Sequence, residues 1–298
     1  MRLDWLTLFI VACVPVSINL EQLELGGVGF YLPTEPLLFG VLVLFILKIL
    51  SGKSIDTRIF SHPISWLIYA MLTWTLLTSI TSEFPTVSFK FLLARMWFIA
   101  GFYFLLAHIF QNRKNMHRYL MLYLFPLFAV ITYTVVRHAG FGFEKDPGHW
   151  VMEPFYKDHT SYGAVLAMYF PVLVGLLLQK RFNPLLKAFL IIGLGILTVG
   201  IILSYTRAAW VSLAGAAVLG GLMMLRVRLR TLLLTLVAAG SFLYVAQDDL
   251  VIMLEKNQQD SSDDLAEHVE SISNVSSDAS NLERLNRWNS ALAMFEER

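Results

Sequence analysis

Long apolar runs, each about the length needed to cross a bilayer, alternate along this chain with short polar segments. About 30 Å of hydrocarbon takes roughly 20 helical residues, with about 17 as a lower bound. Nine runs meet or approach that length, at residues 5–20, 36–50, 63–80, 87–110, 119–136, 161–179, 184–203, 206–225 and 231–246. The pattern predicts an all-α fold, a polytopic transmembrane bundle of about nine helices. Pro36, Pro63 and Pro184 fall where helices should begin, a place where the missing N–H costs nothing.

The polar breaks alternate in charge. Arg2, then Lys48, Lys53 and Arg58, then Arg113, Lys114 and Arg118, then Lys180, Arg181 and Lys187, then Arg226, Arg228 and Arg230 fall on one side, with only Asp4 and Asp56 as acids among them. By the positive-inside rule that side, and with it the N-terminus, is cytoplasmic. The other side carries Glu21, Glu24 and Glu35, then Glu83, then Glu144, Asp146, Glu153 and Asp158, and finally an acidic tail. A miscounted helix would break this alternation.

Two outward segments exceed a simple turn. Residues 137–160 interleave Phe141, Phe143, Trp150, Phe155 and Tyr156 with both signs of charge, which suits a folded loop at headgroup level. The division expected is a helix bundle at 1–246 followed by the start of a large outer loop at 247–298. Within that loop, 256–280 is rich in Ser, Asp, Asn and Gln and reads as a mobile linker. In 281–298, Leu282, Leu285, Trp288, Leu292 and Phe295 recur at helical spacing with charges on the other faces. That predicts an amphipathic helix. Ending at Glu296-Glu297-Arg298 with no closing span, the chain reads as the front part of a longer protein.

Composition agrees with the pattern: of 298 residues 56% are hydrophobic and 15% charged, against about 25% charged in an average soluble domain. The lone Cys13 excludes an intramolecular disulfide. There is no Gly-rich phosphate loop, no nucleophile elbow, no paired intramembrane acids of the proton-pump kind and no basic patch that would bind nucleic acid.

The chemistry concentrates in a few residues. Arg207 stands at the junction of two apolar runs, in Ser204-Tyr205-Thr206-Arg207-Ala208-Ala209-Trp210, and no acid lies three or four residues from it; the same holds for Arg95. A cation at membrane depth is costly and tends to mark a substrate path, although either arginine could merely snorkel to headgroups. The guanidinium fork grips phosphate oxygens bidentately and stays charged at any working pH, so a lipid-linked diphosphate fits. Asp158 and His159 could bind substrate or serve as acid and base, or simply cap a helix; their spacing with Glu153 matches no compact metal motif, so no metal is expected. Arg284 and Trp288, four apart, share a face of the tail helix, where Glu283 could instead neutralise the arginine.

These residues also carry a family resemblance. Ser204-x-Thr206-Arg207-x-x-Trp210, residues 155–163 leading into a helix with Pro171, and Arg284-x-x-Arg287-Trp288-x-x-Ala291-Leu292 resemble segments of the O-antigen ligase and polymerase superfamily. The resemblance implies a metal-independent, inverting glycosyl transfer with no cofactor, on the periplasmic face of the bacterial inner membrane. The donor it implies is an undecaprenyl-pyrophosphate-linked glycan; the acceptor is lipid A-core, another glycan or a protein. Arg207 and Arg284 would neutralise the pyrophosphate leaving group, with Arg95, Asp158, His159, Thr206, Arg287 and Trp288 binding substrate around them. The family's acceptor-activating histidine falls after the last residue here, so these residues alone should be inactive. A lipid-linked oligosaccharide flippase is the alternative, since it too would hold cations over a diphosphate.

Overall fold

The computed structural model describes residues 3–20, 31–51, 56–179, 182–226, scattered positions between 228 and 241, and 279–296. The helices are α1 (Leu3–Cys13), α2 (Thr34–Leu50), α3 (Thr57–Phe60), α4 (Pro63–Ile80), α5 (Pro85–Ile109), α6 (Arg113–Ala139), α7 (Lys145–Gly148), α8 (His159–Leu177), α9 (Pro184–Ile202), α10 (Arg207–Met224) and α11 (Ala279–Glu296). Six of these, α4, α5, α6, α8, α9 and α10, are long and apolar enough to cross a membrane. The fold is an all-α polytopic bundle. Pro63, Pro85 and Pro184 each sit in a first helical turn, and Asn183 caps α9 by accepting from Leu186 N at 2.8 Å.

One expected span is altered. The first helix stops at Cys13 and tightens into a 3₁₀ turn over Val14–Val16, because Pro15 cannot continue the α-helical ladder. The chain then forms a two-residue strand, β1 (Ile18–Asn19), antiparallel to β2 (Tyr31–Leu32), a pairing too short to leave a period-2 signal. The expected ninth span, 231–246, and most of the 256–280 linker lie outside the described residues.

The chain forms two compact units, Met1–Val136 with Met152–Asp158, and Arg137–Val151 with His159–Arg298. In the first, Ile10, Leu38, Val41, Leu42, Phe45, Trp97, Ala100, Phe104 and Leu105 make the core. Phe104 stacks on Phe45 at 5.9 Å and on Phe60 at 5.1 Å. It belongs to a π-helical segment, Ala100–Leu105, inside α5, which rotates one residue into the core. Ser65 and Tyr103 share a hydrogen bond of 2.9 Å there. Gly101 sits close to a neighbour in the same segment, where a Cβ would lie 2.8 Å from the end of the Leu38 side chain.

In the second unit α9 and α10 both pack on α8. Tyr162, Leu166, Leu173, Leu190, Leu197 and Ile201 are buried between them. Such a bundle carries its helix-to-helix turns as its polar points, and the turn between α9 and α10 holds Ser204, Tyr205 and Thr206.

Candidate active site

The turn between α9 and α10 is fixed from inside. Ser204, fully buried, donates its hydroxyl to Ile201 O at 2.8 Å. Thr206 Oγ1 donates to His159 O at 2.8 Å. That bond ties the first residue of α8 to the residue preceding α10, so two helix N-termini meet. Each brings amide N–H groups without helical partners and the positive end of a helix dipole. Gly163, one turn into α8, permits the approach: a Cβ there would lie 2.7 Å from Thr206 Cβ and Oγ1. Trp210 Nε1 donates back to Ile201 O at 3.2 Å and closes the turn from the far side.

Tyr205 is the strained element. Its φ of 48° is left-handed, a conformation that costs a non-glycine residue about 1 kcal/mol or more. Its hydroxyl donates to Phe143 O at 3.0 Å, and Phe143 is itself left-handed at φ 61°. The loop carrying Phe143 folds onto the turn. His138, buried at the end of α6, has Nε2 2.7 Å from Glu144 O; a carbonyl only accepts, so Nε2 carries the proton. Gly148, which ends α7, fits against Tyr205 and His138, where a Cβ would meet the Tyr205 ring at 3.0 Å and the imidazole at 3.3 Å. Arg137 lies 5.1 Å over the Trp150 ring and donates to Val151 O at 3.3 Å. The expected aromatic, folded loop is present in residues 137–151.

This loop brings His149 against His159, with ring centroids 4.3 Å apart and planes tilted by 32°. Burial first, and the Lys145 charge second, push the His149 pKa below its ordinary 6.5, with Asp146 opposing. Buried more readily as the neutral base, His149 supports the folded loop at full strength above about pH 6.5, and that support is lost as pH falls through this value.

Arg207, Thr206 and His159 are therefore assembled at one place, with Arg207 half-buried as the first residue of α10. Asp158 is the residue before α8. Arg95 is exposed on α5, its guanidinium 5.0 Å over the Phe91 ring. Arg284, Arg287 and Trp288 ride on α11, whose described side chains from 282 to 296 are all exposed. Glu283 pairs with Arg287, one helical turn on, rather than with Arg284; i to i+4 spacing is the one that aligns the two side chains. Tyr205, His138 and His149 were not singled out by sequence reasoning. The signal available was a pair of glycines, Gly148 and Gly163, flanking the histidines. Among the described residues no group of three His, Cys, Asp or Glu side chains could hold a metal ion.

A groove of about 390 Å³ between α8, α9 and α10 is lined by Phe170, Thr198, Ile201, Ile202, Trp210 and Leu213, almost wholly apolar. Trp210 is one turn beyond Arg207, so a cationic turn and an apolar trough adjoin.

Residues 188–298 match the family model for O-antigen ligases. This part of the chain is similar to an O-antigen ligase domain. No curated protein and no solved structure matches the chain significantly. The matched O-antigen ligase region opens in α9 and takes in the turn, α10 and α11. The six long apolar helices, together with the similarity of residues 188–298 to O-antigen ligases, indicate a multi-pass membrane protein. The loop at 137–151 and the start of α8, which complete the cluster around the turn, precede the matched region.

Proposed function

We propose that the protein transfers a glycan from an undecaprenyl-pyrophosphate carrier to an acceptor, at the periplasmic face of the bacterial inner membrane, by a metal-independent, inverting displacement. The observation carrying this reading is that the arginine turn adjoins an apolar groove, within a bundle whose matched region is similar to an O-antigen ligase domain. An amphiphilic donor needs both halves: a lipid trough for its isoprenoid and a fixed positive charge for its diphosphate. Arg207 donates bidentately to the diphosphate oxygens, and the converging N-termini of α8 and α10 add oriented N–H dipoles. Because Ser204, Tyr205 and Thr206 hold the turn before substrate arrives, its charge needs no reorganisation as negative charge grows on the departing diphosphate. Arg284 is the second guanidinium, carried to the site by the tail helix, with Arg287 and Trp288 on the same segment. Asp158, His159 and Thr206 shape the donor side.

The test is reconstitution of the protein in proteoliposomes with a lipid-linked glycan and a glycan, lipid A-core or protein acceptor. Glycan covalently joined to the acceptor, with lipid diphosphate released in equal amount, is the expected result. Movement of the lipid-linked donor between leaflets without transfer would identify a flippase instead.

A further inference from the structure

The tilted imidazoles of His149 and His159 lie against each other beside the turn, where Thr206 bonds the backbone carbonyl of His159. The rings lie 4.3 Å apart. At that separation two imidazolium charges repel strongly, so the pair tolerates at most one proton. The groups around it come from four elements. Lys145 and Asp146 on α7 act on His149 with opposite signs. His138 at the end of α6 and Tyr205 of the turn both pack on neighbouring Gly148, and the His138 Nε2–H is held by Glu144 O. Arg207 opens α10, next to the threonine that holds the His159 carbonyl, and Asp158 precedes His159 in the chain. Burial and the Lys145 charge both favour the neutral form of His149.

We propose that the His149–His159 pair is a proton-accepting part of the diphosphate site: it takes up one proton from water as the donor's diphosphate binds at Arg207, and the resulting imidazolium donates a hydrogen bond to a phosphate oxygen. This rests on the diphosphate reading above and assigns the pair a role in binding that the arginines alone would not need. The sign follows directly. Binding raises the pKa of the pair, so the added affinity is complete below the pair's free pKa and is lost as pH rises through the bound-state value. Over that window affinity falls by up to about tenfold per pH unit. A site built only of arginine would show no such slope, since guanidinium does not titrate there.

The test uses a short-chain prenyl diphosphate sugar, whose diphosphate is esterified at both ends and has no ionisation of its own near neutrality. Its binding to the detergent-solubilised protein is measured calorimetrically at pH 7.5 in two buffers of different ionisation enthalpy, which counts protons directly. The wild-type protein should take up between about half and one proton per ligand bound, and His149→Gln/His159→Gln should take up none and bind with a pH-independent affinity. The wild-type count needs no variant, so a count of zero overturns the proposal even where the double variant fails to fold. A count unchanged in a folded double variant also overturns it, placing the proton on another group such as His138. Arg207→Lys separates the two levels: if it leaves affinity unchanged, the diphosphate reading fails, whereas weakened affinity with no proton uptake leaves that reading standing and rejects only the histidine pair.

Discussion

Arg207 and Arg284 carry the same charge on segments of the same domain, yet their surroundings are opposite. Arg207 opens a helix whose start is locked by Ser204, Tyr205 and Thr206, through bonds to Ile201, Phe143 and His159. Arg284 rides on a helix exposed on every described face, on which Glu283 pairs with Arg287. An electrostatic group contributes most to a transition state when its position is settled beforehand. On the proposed function, Arg207 is the standing part of the site and Arg284 the arriving part.

The contrast breaks first if the turn is not packed as described. Gly163→Ala should destabilise the protein by about 1–3 kcal/mol, because the new methyl meets Thr206 and a tight core resists overpacking. Gly175→Ala on the same helix meets nothing within 4 Å and should instead stabilise by up to about 1 kcal/mol. Thermal unfolding of the two variants in detergent compares them directly, and equal shifts would mean that the α8 start and the turn do not touch. Tyr205→Phe removes the bond to Phe143 O, at a cost of about 1 kcal/mol. It should lower glycan transfer more than it lowers the unfolding midpoint, since the left-handed turn beside Arg207 loses its outer tie. Smallest of all, Glu283→Gln should change stability by no more than about 0.5 kcal/mol. A larger loss in a melting curve would show that α11 is held by more than its own pairs.

Much of the bundle was legible because lipid imposes one rule on every span: bury the backbone in a helix and cover it with apolar side chains. The starts at Pro63 and Pro184 and the tail helix from Ala279 follow from that rule and from local periodicity. The early stop at Cys13 was not, since Pro15 sits in an apolar run where hydropathy hides it. At the site, Arg207, Thr206 and His159 could be read from residue type and motif. The contacts of Tyr205 with Phe143 and of His149 with His159 link segments 62 and 10 residues apart through a loop fold. No periodicity encodes such a loop, only glycines at positions whose need for smallness becomes visible once Thr206 and the Tyr205 ring are seen against them.

The account stands on a guanidinium, not merely a positive charge, at the start of α10. The most direct measurement is the rate of glycan transfer from the lipid-linked donor by Arg207→Lys, beside Arg95→Lys as a reference on the exposed face of α5. Loss of bidentate, preorganised contact predicts a rate lower by about 10²-fold, roughly 3 kcal/mol of transition-state stabilisation, with Arg95→Lys within about threefold of wild type, the cost of one exposed charge contact. A folded Arg207→Lys protein that transfers glycan at the wild-type rate would contradict the account.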